Sequence, residues 1–218
     1  MDIRRTALLL IDMQKESKYG IEDVDSAVAA AVPLIATCRD MGIRIIYTRH
    51  VSRSDAIGLP NSEVLDAEGR PFYYRSDSDS MNVIDDIAPR PDDIVIDKHR
   101  WTGFYGTPLD LVLRSLDIKH LIVGGFVTDG CVMTTVFDAY ARDYQVNLVR
   151  DMCGATNSGS HKAAILTMAN WVYDIEIFAA AEMVKKLQGG TYKSWRSQAP
   201  DQMQFTPDTL DSVFGSLG

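Results

Sequence analysis

The sequence predicts a three-layer α/β domain, in which helices cover both faces of a mainly parallel sheet of six strands. Short apolar runs alternate along the chain with longer segments whose apolar residues recur at helical spacing, and this alternation is typical of successive βα units. The short runs are apolar at every position, as expected of strands that are buried on both faces. A chain of 218 residues is long enough for one such core.

Three strands and the first helix are predicted in the amino-terminal half of the chain. The apolar run TALLLI at 6–11 predicts the first strand, and a helix follows over 23–41. The runs IRIIYTR at 43–49 and DIVIDK at 93–98 predict the second and third strands. Between them, the polar and proline-containing residues 52–92 predict a long excursion with little regular structure.

The middle of the chain continues the alternation of helix and strand. A helix is predicted over 107–118, because a proline stands in its first turn and apolar residues recur at helical spacing. The run HLIVGGF at 120–126 predicts the fourth strand, and a helix follows over 131–143. The fifth strand is predicted at 145–151 and the next helix at 160–172.

One more strand and one more helix complete a Rossmann-like domain over residues 1–188. The run IEIF at 175–178 predicts the sixth strand, and 180–188 predicts the closing helix. Two glycines then lead into a polar, proline-containing tail, 189–218. The tail is expected to be loosely ordered or to form an arm packed on a partner subunit.

Composition and charge exclude several classes of protein. The net charge is −8 and no basic run with interleaved aromatic residues occurs, so nucleic-acid binding is not expected. No apolar run is long enough to span a membrane. The odd number of cysteines (Cys38, Cys131 and Cys153) forms neither a disulfide framework nor a zinc-binding pattern. A cytoplasmic location is therefore expected.

Three chemically distinct side chains stand at the carboxyl ends of predicted strands. Asp12 follows the first strand, Lys98 ends the third, and Cys131 follows the glycine-rich turn after the fourth. Ligands of open parallel sheets bind beyond these strand ends. The predicted fold therefore brings an acid, an amine and a thiol to one edge of the sheet.

Such a trio has the chemistry to hydrolyse an amide-like bond through a thioester. A helix N-terminus and a nearby lysine are expected to lower the pKa of the Cys131 thiol from its usual value near ~8.5. Asp12 would act as general base and then as general acid. Each residue also has a structural explanation, since buried cysteines, turn-capping aspartates and solvated lysines are common. Cys38 and Cys153 are interpreted as buried apolar residues.

Over residues 5–185 the chain resembles the cysteine hydrolase family that includes isochorismatases, nicotinamidases and N-carbamoylsarcosine amidohydrolase. The resemblance rests on ALLLIDMQ, on the run from DKHRWTGFYGTPLD to GGFVTDGCV, and on LVRDMCGA. It implies a catalytic triad of Asp12, Lys98 and Cys131. This is the same trio that the predicted strand ends bring together.

The resemblance also bears on the turn before the thiol and on metal binding. It implies a cis peptide bond between Phe126 and Val127, which would direct the Val127 N–H, with that of Cys131, into an oxyanion hole. Nicotinamidases bind a metal through an Asp-x-His pair and a further histidine after the second strand. Here that region is YTRHVSRSD, with His50 alone, so neither a metal nor another cofactor is expected.

The departures from the family narrow the expected substrate. Cys131 argues against isochorismatase activity, because hydrolysis of an enol ether needs no thiol. The segment RWTGFYGTPLD is most similar to the N-carbamoylsarcosine and ureidoacrylate amidohydrolase branch, which implies a C–N hydrolase that releases ammonia from a small amide, ureido or carbamoyl compound. The candidate substrate-binding residues are Gln14, His50, Arg100, Trp101, Phe104 and Tyr105.

The sequence is also compatible with other functions of the same fold. One is an isochorismatase-type enol-ether hydrolase, and another is a non-catalytic binding or redox protein of the same fold. A Cys–His hydrolase would use His99, but neighbouring side chains on a strand point to opposite faces, and the resemblance selects Lys98. The family resemblance further implies a homo-oligomer, either a dimer or a tetramer.

Overall fold

The computed structural model describes residues 1–218, apart from the side chain of Tyr19. The described residues form one seven-stranded sheet with the order β3-β2-β1-β4-β5-β6-β7. All neighbouring strands are parallel except β6 and β7, which are antiparallel. The strands are β1 (Thr6–Ile11), β2 (Arg44–His50), β3 (Ile94–Lys98), β4 (His120–Phe126), β5 (Gln145–Gly154), β6 (Glu176–Phe178) and β7 (Trp195–Arg196).

Helices cover both faces of this sheet, so the prediction of a three-layer α/β domain is confirmed. The helices are α1 (Val24–Asp40), α2 (Leu109–Ser115), α3 (Met133–Tyr140), α4 (Ser158–Trp171), α5 (Ala180–Leu187) and α6 (Leu210–Gly215). The apolar core of one face contains α1 and α5, and that of the other contains α2, α3 and α4. Strand β1 supplies Leu8 and Leu10 to the first core and Ala7, Leu9 and Ile11 to the second.

Strand β4 approaches β1 more closely than a side chain would allow. Gly125 has a φ of 141°, and a Cβ atom added there would lie 2.0 Å from the carbonyl oxygen of Ile11. The register between β4 and β5 also shifts between Val123 and Gly125. Only glycine fits this position. Because Gly125 has no side chain, the end of β4 can pack directly against the end of β1.

The prediction of six strands is wrong by one, because the tail adds β7. This strand has two residues and pairs with β6 at the edge of the sheet. It was not predicted, because two residues in a polar segment are too few to show the alternation of apolar and polar residues that is typical of a strand. Met203 and Leu217, also from the tail, are buried in the core beside α4, where the Asn170 side chain bonds both backbone groups of Met203. The tail thus packs on its own domain; its role between subunits and a boundary at residue 188 stay predictions.

The excursion over 52–92 agrees with its prediction. Its described residues contain short 3₁₀ turns at Asp79–Met81 and Asp85–Ile87. Isolated β-bridges tie it to the domain through Gln14 with Val83 and within itself through Ser52 with Arg75. Among the described residues, none of the helices combines the length and apolarity needed to cross a membrane.

Candidate active site

The carboxyl ends of β1, β3 and β4 bring Asp12, Lys98 and Cys131 together. The Lys98 Nζ atom lies 2.7 Å from Asp12 Oδ2 and 3.4 Å from Cys131 Sγ. All three side chains are almost fully buried. The sequence motifs were therefore sufficient to select three residues that meet in space.

Asp12 has an unusual backbone conformation at the carboxyl end of β1. It adopts a φ of 50°, in the left-handed region that aspartate tolerates better than most residues. Its Oδ1 atom accepts a hydrogen bond of 2.8 Å from Thr48 Oγ1 on the neighbouring strand. Its Oδ2 atom is held by the Lys98 charge but accepts no well-aligned hydrogen bond from the described residues. This oxygen thus keeps the capacity to accept a proton.

Lys98 occupies the centre of the site with its ammonium group. Besides Asp12 and Cys131, Nζ contacts the Arg100 carbonyl oxygen at 2.8 Å and His50 Nδ1 at 3.3 Å. Burial alone would lower the pKa of Lys98, but the Asp12 carboxylate, together with the contact to the Cys131 sulfur, outweighs burial and raises the pKa above its usual value. The ammonium is therefore charged at neutral pH, with four partners around it.

Cys131 is presented by a π-helical turn, Thr128–Val132, that leads into α3. The Phe126–Val127 peptide bond before it is cis. Among the described residues, the Val127 N–H has no hydrogen-bond acceptor. The turn is anchored at its start by the Thr128 hydroxyl, which lies 2.9 Å from His161 Nδ1.

The expectation of a lowered thiol pKa is wrong. Burial, followed by the charge of Asp12, raises the pKa of Cys131 to about 12, against an opposing effect of Lys98. Burial likewise raises the pKa values of Cys38 and Cys153 to about 12. Removing a thiolate from water outweighs one neighbouring ammonium. Cys131 is therefore a neutral thiol at rest, distinguished from the other two cysteines by its acid and ammonium neighbours.

Gln14 has a structural role rather than the predicted contact with substrate. Its side chain is fully buried and donates to the carbonyl oxygens of His50 and Met81, at 2.9 and 2.7 Å. Its Oε1 atom accepts from the His50 N–H at 2.8 Å. Since every one of these bonds is made to backbone, Gln14 fixes the end of β2 and hence the position of His50.

His50 lies beside the triad as a neutral imidazole. Burial, followed by the charge of Lys98, lowers its pKa to about 4, although Asp12 acts in the opposite direction. In an unfolded chain the imidazole titrates near ~6.5. His50 therefore accepts from the Lys98 ammonium without competing with it for charge.

This arrangement predicts an acid limb in the stability of the protein. Between about pH 6.5 and 4 the unfolded chain binds more protons at His50 than the folded protein, so the free energy of unfolding falls as the pH is lowered. The difference reaches ~3 kcal/mol at pH 4. Urea unfolding at several pH values should show a flatter acid limb for His50→Asn than for the wild type. Equal acid limbs would show that His50 titrates normally.

The four remaining substrate-binding candidates lie in the loop between β3 and α2. Phe104 packs in the hydrophobic core that also contains Cys131, stacked on Tyr144 with ring centroids 6.0 Å apart. Its contact with substrate stays a prediction. Arg100 donates to the carbonyl oxygens of Gly58 and His99. Trp101 and Tyr105 are exposed, as expected of loop residues.

A cleft of about 590 Å³ lies beside the start of the turn that carries Cys131. Val127 and Tyr74 are part of its lining. The Tyr74 ring packs edge-on against His50, with centroids 5.4 Å apart. Burial raises the pKa of the Tyr74 hydroxyl, and the charge of Asp12 raises it further. Tyr74 therefore belongs to both the cleft and the surroundings of the thiol.

Tyr74 was not predicted as a site residue, because it lies in the irregular excursion over 52–92. A signal was nevertheless present, since three consecutive aromatic residues, 72–74, interrupt an otherwise polar segment. Tyr74 also has a φ of 52°, a conformation that costs energy for a bulky residue and clusters at functional sites. Its N–H is held by Glu16 Oε2 at 2.8 Å.

The same residues offer a group of potential metal ligands. One ligand atom each from Asp12, His50 and Cys131 lies within 4.8 Å of the other two. The Lys98 ammonium contacts all three. A cation in this position would have to displace Lys98, so the residues present do not fit a metal site with the lysine in place.

The sequence matches a family model and is similar to a named amidohydrolase. The family model of the isochorismatase domain matches residues 6–177. A ureidoacrylate amidohydrolase, RutB, of Methylorubrum extorquens is 30% identical in an alignment that covers 83% of this chain and 84% of that protein.

Solved structures of similar fold include two with related descriptions. A cysteine hydrolase from Pseudomonas syringae pv. phaseolicola has a TM-score of 0.76 at 26% identity, over 87% of this chain and 95% of that one. An N-carbamoylsarcosine amidase from Thermoplasma acidophilum has a TM-score of 0.68 at 29% identity, over 82% and 98%.

Proposed function

The chain belongs to the isochorismatase family of hydrolases, and from this premise we propose that it is a cysteine-dependent amidohydrolase. Its substrate is a small amide, ureido or carbamoyl compound, and ammonia is released. The observation that carries the proposal is the Lys98 ammonium between Asp12 Oδ2 and Cys131 Sγ, at 2.7 and 3.4 Å. The similarity to an amidohydrolase and to an amidase supports the type of bond.

The first half of the reaction forms a thioester. Asp12 Oδ2 takes the proton of the Cys131 thiol, and the sulfur attacks the carbonyl carbon of the substrate. The C–N bond then breaks, and the nitrogen leaves as ammonia with the proton that Asp12 returns. Because burial raises the pKa of the thiol, the thiol keeps its proton at neutral pH until Asp12 accepts it.

Two further groups stabilise the charges that develop in this step. The Lys98 ammonium lies against the sulfur and balances the negative charge on the sulfur and Asp12. The N–H groups of Val127 and Cys131 are assigned to the oxyanion, and the Val127 N–H is unoccupied among the described residues. In the second half, water attacks the thioester carbonyl and Asp12 accepts its proton, which then returns to the sulfur.

The proposal is tested by ammonia release from a panel of primary amides, ureido acids and carbamoyl compounds. Release should stop when Cys131 is alkylated, as verified by mass spectrometry of the peptide, and should be unchanged by a chelator. Release that survives alkylation, or that a chelator abolishes, would contradict a thiol mechanism. A cytoplasmic location and a homo-oligomer, dimer or tetramer, stay predictions.

A further inference from the structure

The cleft and the surroundings of the triad share two residues, Val127 and Tyr74. Val127, whose N–H is assigned to the oxyanion, contributes to its lining. Tyr74 lines it as well and contacts His50, which in turn contacts Lys98. A molecule with its carbonyl at Cys131 would therefore extend the rest of its structure into this cleft.

The cleft is larger and more apolar than a small ureido acid requires. Its volume of about 590 Å³ lies within the ~300–1,000 Å³ typical of sites for drug-sized ligands. Aromatic rings form one wall, where Phe72 and Tyr73 pack edge to face at 4.8 Å. Ile21 contributes a further apolar surface. A ureido acid would leave most of this volume unfilled.

The charged residues of the cleft are already paired within the protein. Glu16 Oε2 accepts from the Tyr74 N–H and the Ser80 hydroxyl, at 2.8 and 2.9 Å. Arg75 pairs with Asp77 and lies 3.7 Å from a carboxylate oxygen of Asp66. Within the described part of the lining, no cation is left without a carboxylate partner. A substrate carboxylate would gain little here and would face Glu16.

We propose that the substrate is an uncharged primary amide, R–CO–NH₂, whose R group carries an apolar substituent about the size of an aromatic ring. This inference rests on the proposed amidohydrolase function and specifies its substrate class. The ring lies between Ile21 and the aromatic wall of Phe72 and Tyr73, and the carbonyl carbon faces Cys131. Water replaces ammonia at that carbon, so the products are the free acid and ammonia.

The test compares two substrate series with the full-length wild-type protein. Phenylacetamide and 3-phenylpropanamide represent the proposed class, and 3-ureidopropionate represents the ureido acids. We expect kcat/KM to be at least about tenfold higher for the phenyl amides, since an apolar pocket discriminates by this order for each group that fills it. Turnover of the ureido acid through Cys131 without turnover of the phenyl amides would overturn this inference and leave the amidohydrolase function standing. Silence on both series would overturn both.

A matched pair of variants separates the cleft from general effects. Phe72→Ala/Tyr73→Ala removes the aromatic wall, and Tyr173→Ala removes an aromatic side chain of equal exposure, 49% against 48% for Tyr73. Tyr173 precedes β6 and therefore lies at the amino end of that strand, whereas Cys131 lies beyond the carboxyl end of β4. The double variant should raise KM for the phenyl amides about tenfold or more, while Tyr173→Ala leaves it unchanged. An unchanged KM in the folded double variant would overturn the inference.

Discussion

Replacing Cys131 with alanine is expected to lower kcat for amide hydrolysis by at least ~10⁴-fold, the order seen when a nucleophile is removed from a catalytic unit. The Cys131 sulfur contacts the Lys98 ammonium, which also contacts Asp12, and it is the proposed nucleophile that bonds to the carbonyl carbon. Steady-state ammonia release from a substrate of the panel measures the effect. Thermal unfolding should be little changed, because the side chain that remains fills most of the same space.

Cys153→Ala provides the matched control. Cys153 is buried with a raised thiol pKa like that of Cys131, but its Sγ donates only to the Val149 carbonyl oxygen. This variant should retain turnover even if it loses some stability. Undiminished hydrolysis by Cys131→Ala would point to an enol-ether type of hydrolase, which needs no thiol. An inactive wild type would instead favour a binding or redox protein of the same fold.

Replacing Lys98 with methionine is expected to lower the free energy of unfolding by ~3–5 kcal/mol, because the buried Asp12 carboxylate then loses its counter-charge. The Lys98 side chain is fully buried and that of Asp12 is 3% exposed. The double variant Lys98→Met/Asp12→Asn should lose less than the sum of the two single variants, since it leaves no unpaired charge. Urea unfolding at pH 7 gives the four free energies.

An exposed ion pair on the neighbouring strands serves as the control for this cycle. Arg49 and Asp97 are bonded at 2.7 Å with side chains 23% and 43% exposed, and Arg49→Met should cost ~1 kcal/mol or less. Additive losses in the Lys98 cycle would show that the buried pair contributes no coupling.

A second control separates Lys98 from its neighbour on the strand. His99 Nδ1 lies 2.6 Å from the Val51 carbonyl oxygen, so His99→Ala should retain most of the turnover that Lys98→Met abolishes. The reverse result would assign the role of Lys98 to His99.

The strand ends that hold the triad could be predicted because each depends on local pattern. Apolar runs bounded by charges or glycines located β1 and β4 at their observed residues, and a parallel sheet places the carboxyl ends of its strands together. The sign of the Cys131 pKa shift could not be predicted in this way. It depends on how deeply the thiol is buried, which is a property of the whole packed domain.

The roles of Gln14 and Phe104 were missed for a related reason. Gln14 bonds residues 36 and 67 positions away, and Phe104 stacks on Tyr144 across the core. Proximity in sequence to a catalytic residue predicted contact with substrate for both side chains. Long-range packing instead bonds Gln14 to backbone carbonyl groups and stacks Phe104 on Tyr144 in the core.

The close contact between Gly125 and Ile11 restricts which amino acids can be substituted near the triad. The excursion over 52–92 is not restricted by this contact. Any side chain at Gly125 would collide with the backbone of β1, so a substitution at this position would displace the end of β4 from which the turn with Cys131 starts. The excursion over 52–92 lies outside the ladder of parallel strands, yet it supplies the aromatic wall of the cleft. We expect substitutions in this segment to change substrate preference while the triad is retained.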